Sequence, residues 1–74
     1  MLASFLKSID PRYIVEFRTD DVRNLMIIKA TRGFLYKEAY ISREMLLNSL
    51  DMESAIVHAI KTVIASLEES YGHK

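Results

Sequence analysis

Apolar and polar residues alternate along the first half of this chain, and the apolar positions then change to helical spacing in the second half. Between Arg12 and Arg18, Tyr13, Val15 and Phe17 fall on one side and Ile14, Glu16 and Arg18 on the other, the period of two that marks a half-buried strand. From Asn24 to Thr31 both sides are apolar. Met26, Ile28 and Ala30 alternate with Leu25 and Ile27, and only Lys29 and Thr31 open one side to water. Such a strand suits the centre of a sheet. A third run, Phe34 to Ile41, sets Leu35, Ala39 and Ile41 against Phe34, Tyr36, Glu38 and Tyr40. The links are short. Thr19-Asp20-Asp21 carries side chains that bond the backbone two residues on, and in Arg32-Gly33 the glycine is free to take a positive φ. A three-stranded antiparallel meander is predicted.

Helices flank it. Leu2, Phe5 and Leu6 sit at helical spacing before Asp10-Pro11, which predicts a short helix or a docked apolar arm that stops ahead of the proline. Ser42 is a good N-cap with Glu44 in the first turn that follows, opening a short helix that runs through Leu50 and presents Met45, Leu46 and Leu50. Asp51 caps a long helix in the same way, with Glu53 in its first turn and Gly72 as its C-terminal stop. The fold class is α+β, and residues 1–74 form a single domain with no repeat or linker.

The long helix has an unusually wide apolar side. At about 100° per residue, with Ile56 as the origin, Met52, Ala55, Val57, Ala59, Ile60, Val63, Ile64, Leu67 and Tyr71 fall within roughly 100° on either side, about twice the minimum stripe for a helix on one core. Either the rest of the chain engulfs the helix or part of the arc meets another chain. The expectation is a two-fold contact through Val57, Ile60, Ile64 and Tyr71, as self-complementary dimers make. Burying each such side chain contributes about 1.5–3 kcal/mol. That matters in a domain of 74 residues, whose stability is thin on size alone.

Composition narrows the possible chemistry. Half of the residues are apolar and 27% are charged, a globular rather than a disordered balance. The absence of cysteine removes disulfides, thiolate metal sites and thiol nucleophiles. No apolar run approaches a membrane span, and the start, Met1 to Lys7, is too short and wrongly charged for a signal peptide; a cytoplasmic location without membrane contact is expected. Ten Lys and Arg balance ten Asp and Glu, although Met1 to Arg43 carries 8 − 5 = +3 and the remainder 2 − 5 = −3. The asymmetry is smaller than that of a strongly basic nucleic-acid-binding domain.

Catalytic and cofactor motifs are missing from the chain. His58 falls on the polar side of the long helix, with Ser54, Ala55, Lys61 and Thr62 as its helical neighbours, which complete neither a His-carboxylate pair nor a metal triad. His73 lies in the tail. Asp20 and Asp21 offer too few oxygen ligands for a hard cation and read as turn residues. A phosphate-cradling loop needs clustered glycines, and the two here are thirty-nine positions apart. No enzyme activity, cofactor or metal is expected. What remains is a mixed face on which Tyr36 and Tyr40 accompany Arg18, Glu16 and Lys29. Tyrosines beside cations suit a protein interface, and they also stack single-stranded nucleic acid. For either partner the candidate contacts are Arg18, Lys29, Arg32, Tyr36, Lys37 and Tyr40.

The run Tyr13 to Phe17, then Leu25 to Ala30, then Tyr36-Lys37-Glu38-Ala39-Tyr40-Ile41-Ser42-Arg43-Glu44-Met45-Leu46, then the closing helix, resembles small uncharacterised proteins of bacteriophages and prophages. In those a strand meander leads into an "ISxExL"-like helix start, matched here by Ile41, Ser42, Glu44 and Leu46. The resemblance spans residues 12 to 71 and is one of layout. It implies an accessory role in a phage or mobile element, binding or inhibiting a host protein or sequestering a signal. The functional expectation is a small homo-oligomeric interaction protein, with nucleic-acid binding by the aromatic, basic part of the sheet as the alternative.

Overall fold

The computed structural model describes residues 2–48 and 51–72. In chain order these form α1 (Leu2–Ser8), β1 (Ile14–Asp20), β2 (Leu25–Arg32), β3 (Leu35–Ser42), α2 (Arg43–Asn48) and α3 (Met52–Gly72). The strands make one open antiparallel sheet in the order β1-β2-β3, so the α+β meander expected from the alternation is the architecture found.

Local chemistry sets most of the boundaries. The Asp20 carboxylate closes the first hairpin: Oδ1 accepts from the backbone of Val22 and Arg23, both at 3.1 Å, and Oδ2 from Arg23 Nε at 2.8 Å. Asn24 turns the chain into β2 at φ 58°, a left-handed conformation that asparagine tolerates well. Gly33 does the same in the second hairpin at φ 61°. Ser42 Oγ accepts from Met45 N at 3.2 Å, and Asp51 accepts from Ser54 N at 3.2 Å and from its hydroxyl at 2.7 Å, so both N-caps sit where the sequence places them. The C-terminal stop differs. Gly72 is the last residue of α3 rather than a left-handed cap beyond it. The turn of α2 is also oriented differently: Leu46 is buried while Met45 is exposed, because consecutive residues lie about 100° apart around a helix and a narrow inward line cannot hold both. Leu50 and His73 lie outside the described residues.

All three helices stack on one side of the sheet. Ile28 and Ala30 of β2 are fully buried beneath Ile56, Ile60, Val63 and Leu67 of α3, a stripe at i, i+4, i+7 and i+11 that keeps one line of a 3.6-residue helix against the strand. Leu46 from α2 closes one end of this core and Tyr13 the other.

This packing takes Ile60 out of the expected dimer contact on the helix, while Val57, Ile64 and Tyr71 keep part of their surface exposed. Ile60 is 0% exposed within its own chain and no second chain can reach it. Ile64 packs against the core and lines, with Phe5, Ile9 and Tyr13, the cleft where α1 meets α3. Lys61 extends its ammonium over the Phe5 ring at 5.6 Å. Val57 is half-buried. Tyr71 donates its hydroxyl to the Arg32 carbonyl and carries the Arg32 guanidinium over its ring at 4.3 Å. The centre of the wide arc is therefore covered by the sheet and one flank by α1, which docks on its own chain, while Met52 and Tyr71 at its ends stay 45% and 37% exposed.

Three carboxylates give the fold an acid limit. The Arg12 side chain, and after it the Arg12 backbone, hold Asp10 down at about 2 from an ordinary 3.8. Asp20 is lowered by the Arg23 backbone and side chain, and Asp51 by the Ser54 hydroxyl and backbone. A depressed carboxyl stabilises the fold when ionised, so its contribution is present above the ordinary value and lost as pH falls through the folded one. The thermal midpoint, followed by circular dichroism, is expected to drop between pH 3.8 and about 2. In Asp10→Asn that drop is smaller.

Candidate interaction surface

With the helices on one side, no element among the described residues covers the other side of the sheet. Alternation and register place its residues in rows. Ile14, Thr31 and Tyr36 form one, Glu16, Lys29 and Glu38 the next, and Arg18, Ile27 and Tyr40 the third. Tyr36 is 53% exposed, Tyr40 55% and Ile14 60%, while Ile27 in the middle of the central strand is only 5% exposed. Ile27 is shielded here by side chains of its own sheet rather than by a helix.

Those side chains are already ordered. Lys29 Nζ sits 4.5 Å from the centroid of the Tyr36 ring, a distance at which the ring quadrupole attracts a cation. Glu38 joins two strands: one carboxylate oxygen accepts from Arg18 Nη2 at 3.3 Å and the other from the Tyr40 hydroxyl at 3.0 Å. The hydrogen bond to Glu38, followed by that carboxylate's charge, raises Tyr40 above its ordinary 10.0, so Tyr40 remains a neutral phenol at physiological pH. The result is a mixed charged and aromatic platform whose two tyrosines each have a partner on the same face. Pre-ordering of this kind lowers the entropy that binding must overcome.

The structure separates the six candidate contacts. Arg18, Lys29, Tyr36 and Tyr40 share the open face, whereas Arg32 and Lys37 belong to the opposite parity, the helix side. Arg32 is occupied there: its guanidinium lies 5.5 Å from the Tyr13 ring centroid as well as over Tyr71, and Nη1 donates to the Tyr13 hydroxyl at 3.2 Å. The signal for this split was local. Lys29 and Arg32 are three apart on one strand and Tyr36 and Lys37 are adjacent, so neither pair can share a face. Glu38, the joining residue, was missed as part of the site because its value depends on two residues from other positions in the fold. On the open face two cations, Arg18 and Lys29, meet two anions, Glu16 and Glu38, and the patch is neutral.

Of the other candidates, His58 is exposed on α3, where its carbonyl accepts from Thr62 Oγ1 at 2.9 Å. Asp21 lies in the first turn and pairs with Arg43 of α2 at 3.1 Å. No helix among the described residues is long and apolar enough to cross a membrane. Comparison with protein-family models, with curated proteins and with solved structures finds no match.

Proposed function

We propose that this protein is a small non-enzymatic interaction module that binds, and by occupying a surface inhibits, a protein partner through the open face of its sheet. One observation carries the reading: a half-exposed tyrosine pair is braced by Lys29 and Glu38 around a nearly buried Ile27, on a sheet face that no helix among the described residues covers. Tyrosine gives large contact area at low entropy cost and is enriched among residues that dominate binding energy. The resemblance in sequence layout to small phage and prophage proteins directs the search for the partner to host proteins. The neutral charge of the face disfavours nucleic acid, because phosphate binding needs net positive charge to release counterions.

Affinity capture from a host lysate, with Tyr36→Ala, Tyr40→Ala and the double variant beside the unaltered protein, tests this. A specific protein is expected to be retained, and each single variant is expected to weaken it about tenfold or more once it is measured in isolation. Retention unaffected by both substitutions sinks the reading. A low-salt mobility shift with single-stranded nucleic acid that vanishes as salt is raised replaces it with the alternative.

A further inference from the structure

We propose that β1 is the dimer interface of this protein, adding to β1 of a second copy across a two-fold axis at Phe17 so that two three-stranded sheets become one of six strands. This goes beyond the binding face just described and uses a different part of the sheet. Among the described residues no other backbone segment bonds to the outer edge of β1. The strand is seven residues long with neither proline nor glycine inside it. An edge of that kind is a ready template for strand addition unless it is blocked.

The sequence of the edge is self-complementary. In an antiparallel pair centred on Phe17, Glu16 faces Arg18 of the second copy and Arg18 faces its Glu16, while Val15 meets Thr19 and Ile14 meets Asp20. Opposite charges directly across a strand pair are favourable, and the two-fold axis makes this contact occur twice. Glu16 is available for it: it forms no ion pair within its own chain among the described residues, because its cross-strand neighbour Lys29 is turned to Tyr36. Arg18 reaches Glu38 from an exposed position, so its guanidinium can serve both carboxylates. The other edge has no equivalent register. Centring β3 on Lys37 or Glu38 opposes like charges, and centring it on Ala39 sets Lys37 against Ile41 and Glu38 against Tyr40. Phe17 adds an apolar contribution on the helix side. It is 41% exposed beside an apolar cleft lined by Leu6, Ile9, Pro11, Tyr13 and Val15, and across the axis it would meet its own equivalent. Joining the edges also makes the two tyrosine faces one continuous surface.

Sedimentation equilibrium across a wide concentration range tests the inference without any partner protein. A dimer is expected for the unaltered chain. Glu16→Arg, which leaves the Arg18 to Glu38 pair in place, is expected to raise the dimer dissociation constant about tenfold or more. The double variant Glu16→Arg with Arg18→Glu is expected to recover it, since the swap restores opposite charges across the axis. Phe17→Cys is expected to cross-link to itself under mild oxidation, a readout that stands even if the charge variants lose structure. A strict monomer at every concentration, or a dimer indifferent to Glu16→Arg and unable to cross-link through position 17, overturns the proposal.

Discussion

Replacing Leu67 or Ile60 with alanine is expected to lower the unfolding free energy by about 2–5 kcal/mol, because each leaves a cavity in a region that cannot collapse around it. Both side chains are fully buried, and each belongs to one of the two adjoining groups that make up the core. A chain of this length has on the order of 4–11 kcal/mol of stability in total. Either substitution therefore removes a large fraction of it, and the pair together is expected to unfold the protein at room temperature. Urea titration followed by circular dichroism measures the effect. The comparison that gives it meaning is Val57→Ala, on the flank of the same helix. There the loss is expected to be well below that at Ile60, since Val57 is only half-buried. Equal losses at the two positions would mean that the helix buries a different stripe.

Gly33→Ala is expected to destabilise by about 2 kcal/mol, more than any single exposed-surface change. Part of this is backbone strain: φ is 61°, and an alanine there costs about 1–2 kcal/mol. The rest comes from across the fold. A Cβ on Gly33 would stand 2.8 Å from the Tyr71 hydroxyl, which would have to release the Arg32 carbonyl and shift away from the guanidinium above its ring. Tyr71→Phe loses the same hydrogen bond by another route. In a double-mutant cycle the two effects are expected to be less than additive, because the shared contact can be lost only once. Strict additivity would show that the end of α3 is not tied to the second hairpin in solution. The cycle thus reads a tie between the C-terminal turn of α3 and the sheet that the arc of apolar positions could not reveal.

Much of the fold was legible because its causes are local. Side chains alternate across a strand whatever it pairs with, so the faces of β1, β2 and β3 follow from Val15, Ile28 and Ala39 and their neighbours. Asp20, Ser42 and Asp51 bond backbone amides within three residues, and turns and caps of that reach need no tertiary information. The open face was legible in kind for the same reason, in Tyr36, Tyr40, Arg18 and Lys29. Its bracing was not. Glu38 gains its role only when register brings Arg18 over Ile27 towards β3, across twenty positions of chain.

The amino-acid sequence by itself determined the elements, the strand faces, the caps and the lack of cysteine chemistry, since each depends on spacing within a few residues or on composition. Only the tertiary structure decided what covers α3 and which surface is left for partners. Leu2, Phe5 and Ile9 have an apolar pattern that suits docking in cis or in trans equally. Their packing beside Ile64 covers one flank of the helix within its own chain, on the side of the sheet where the other described helices also lie. The physical reason is that burial is a property of two surfaces, and a sequence pattern describes one of them at a time.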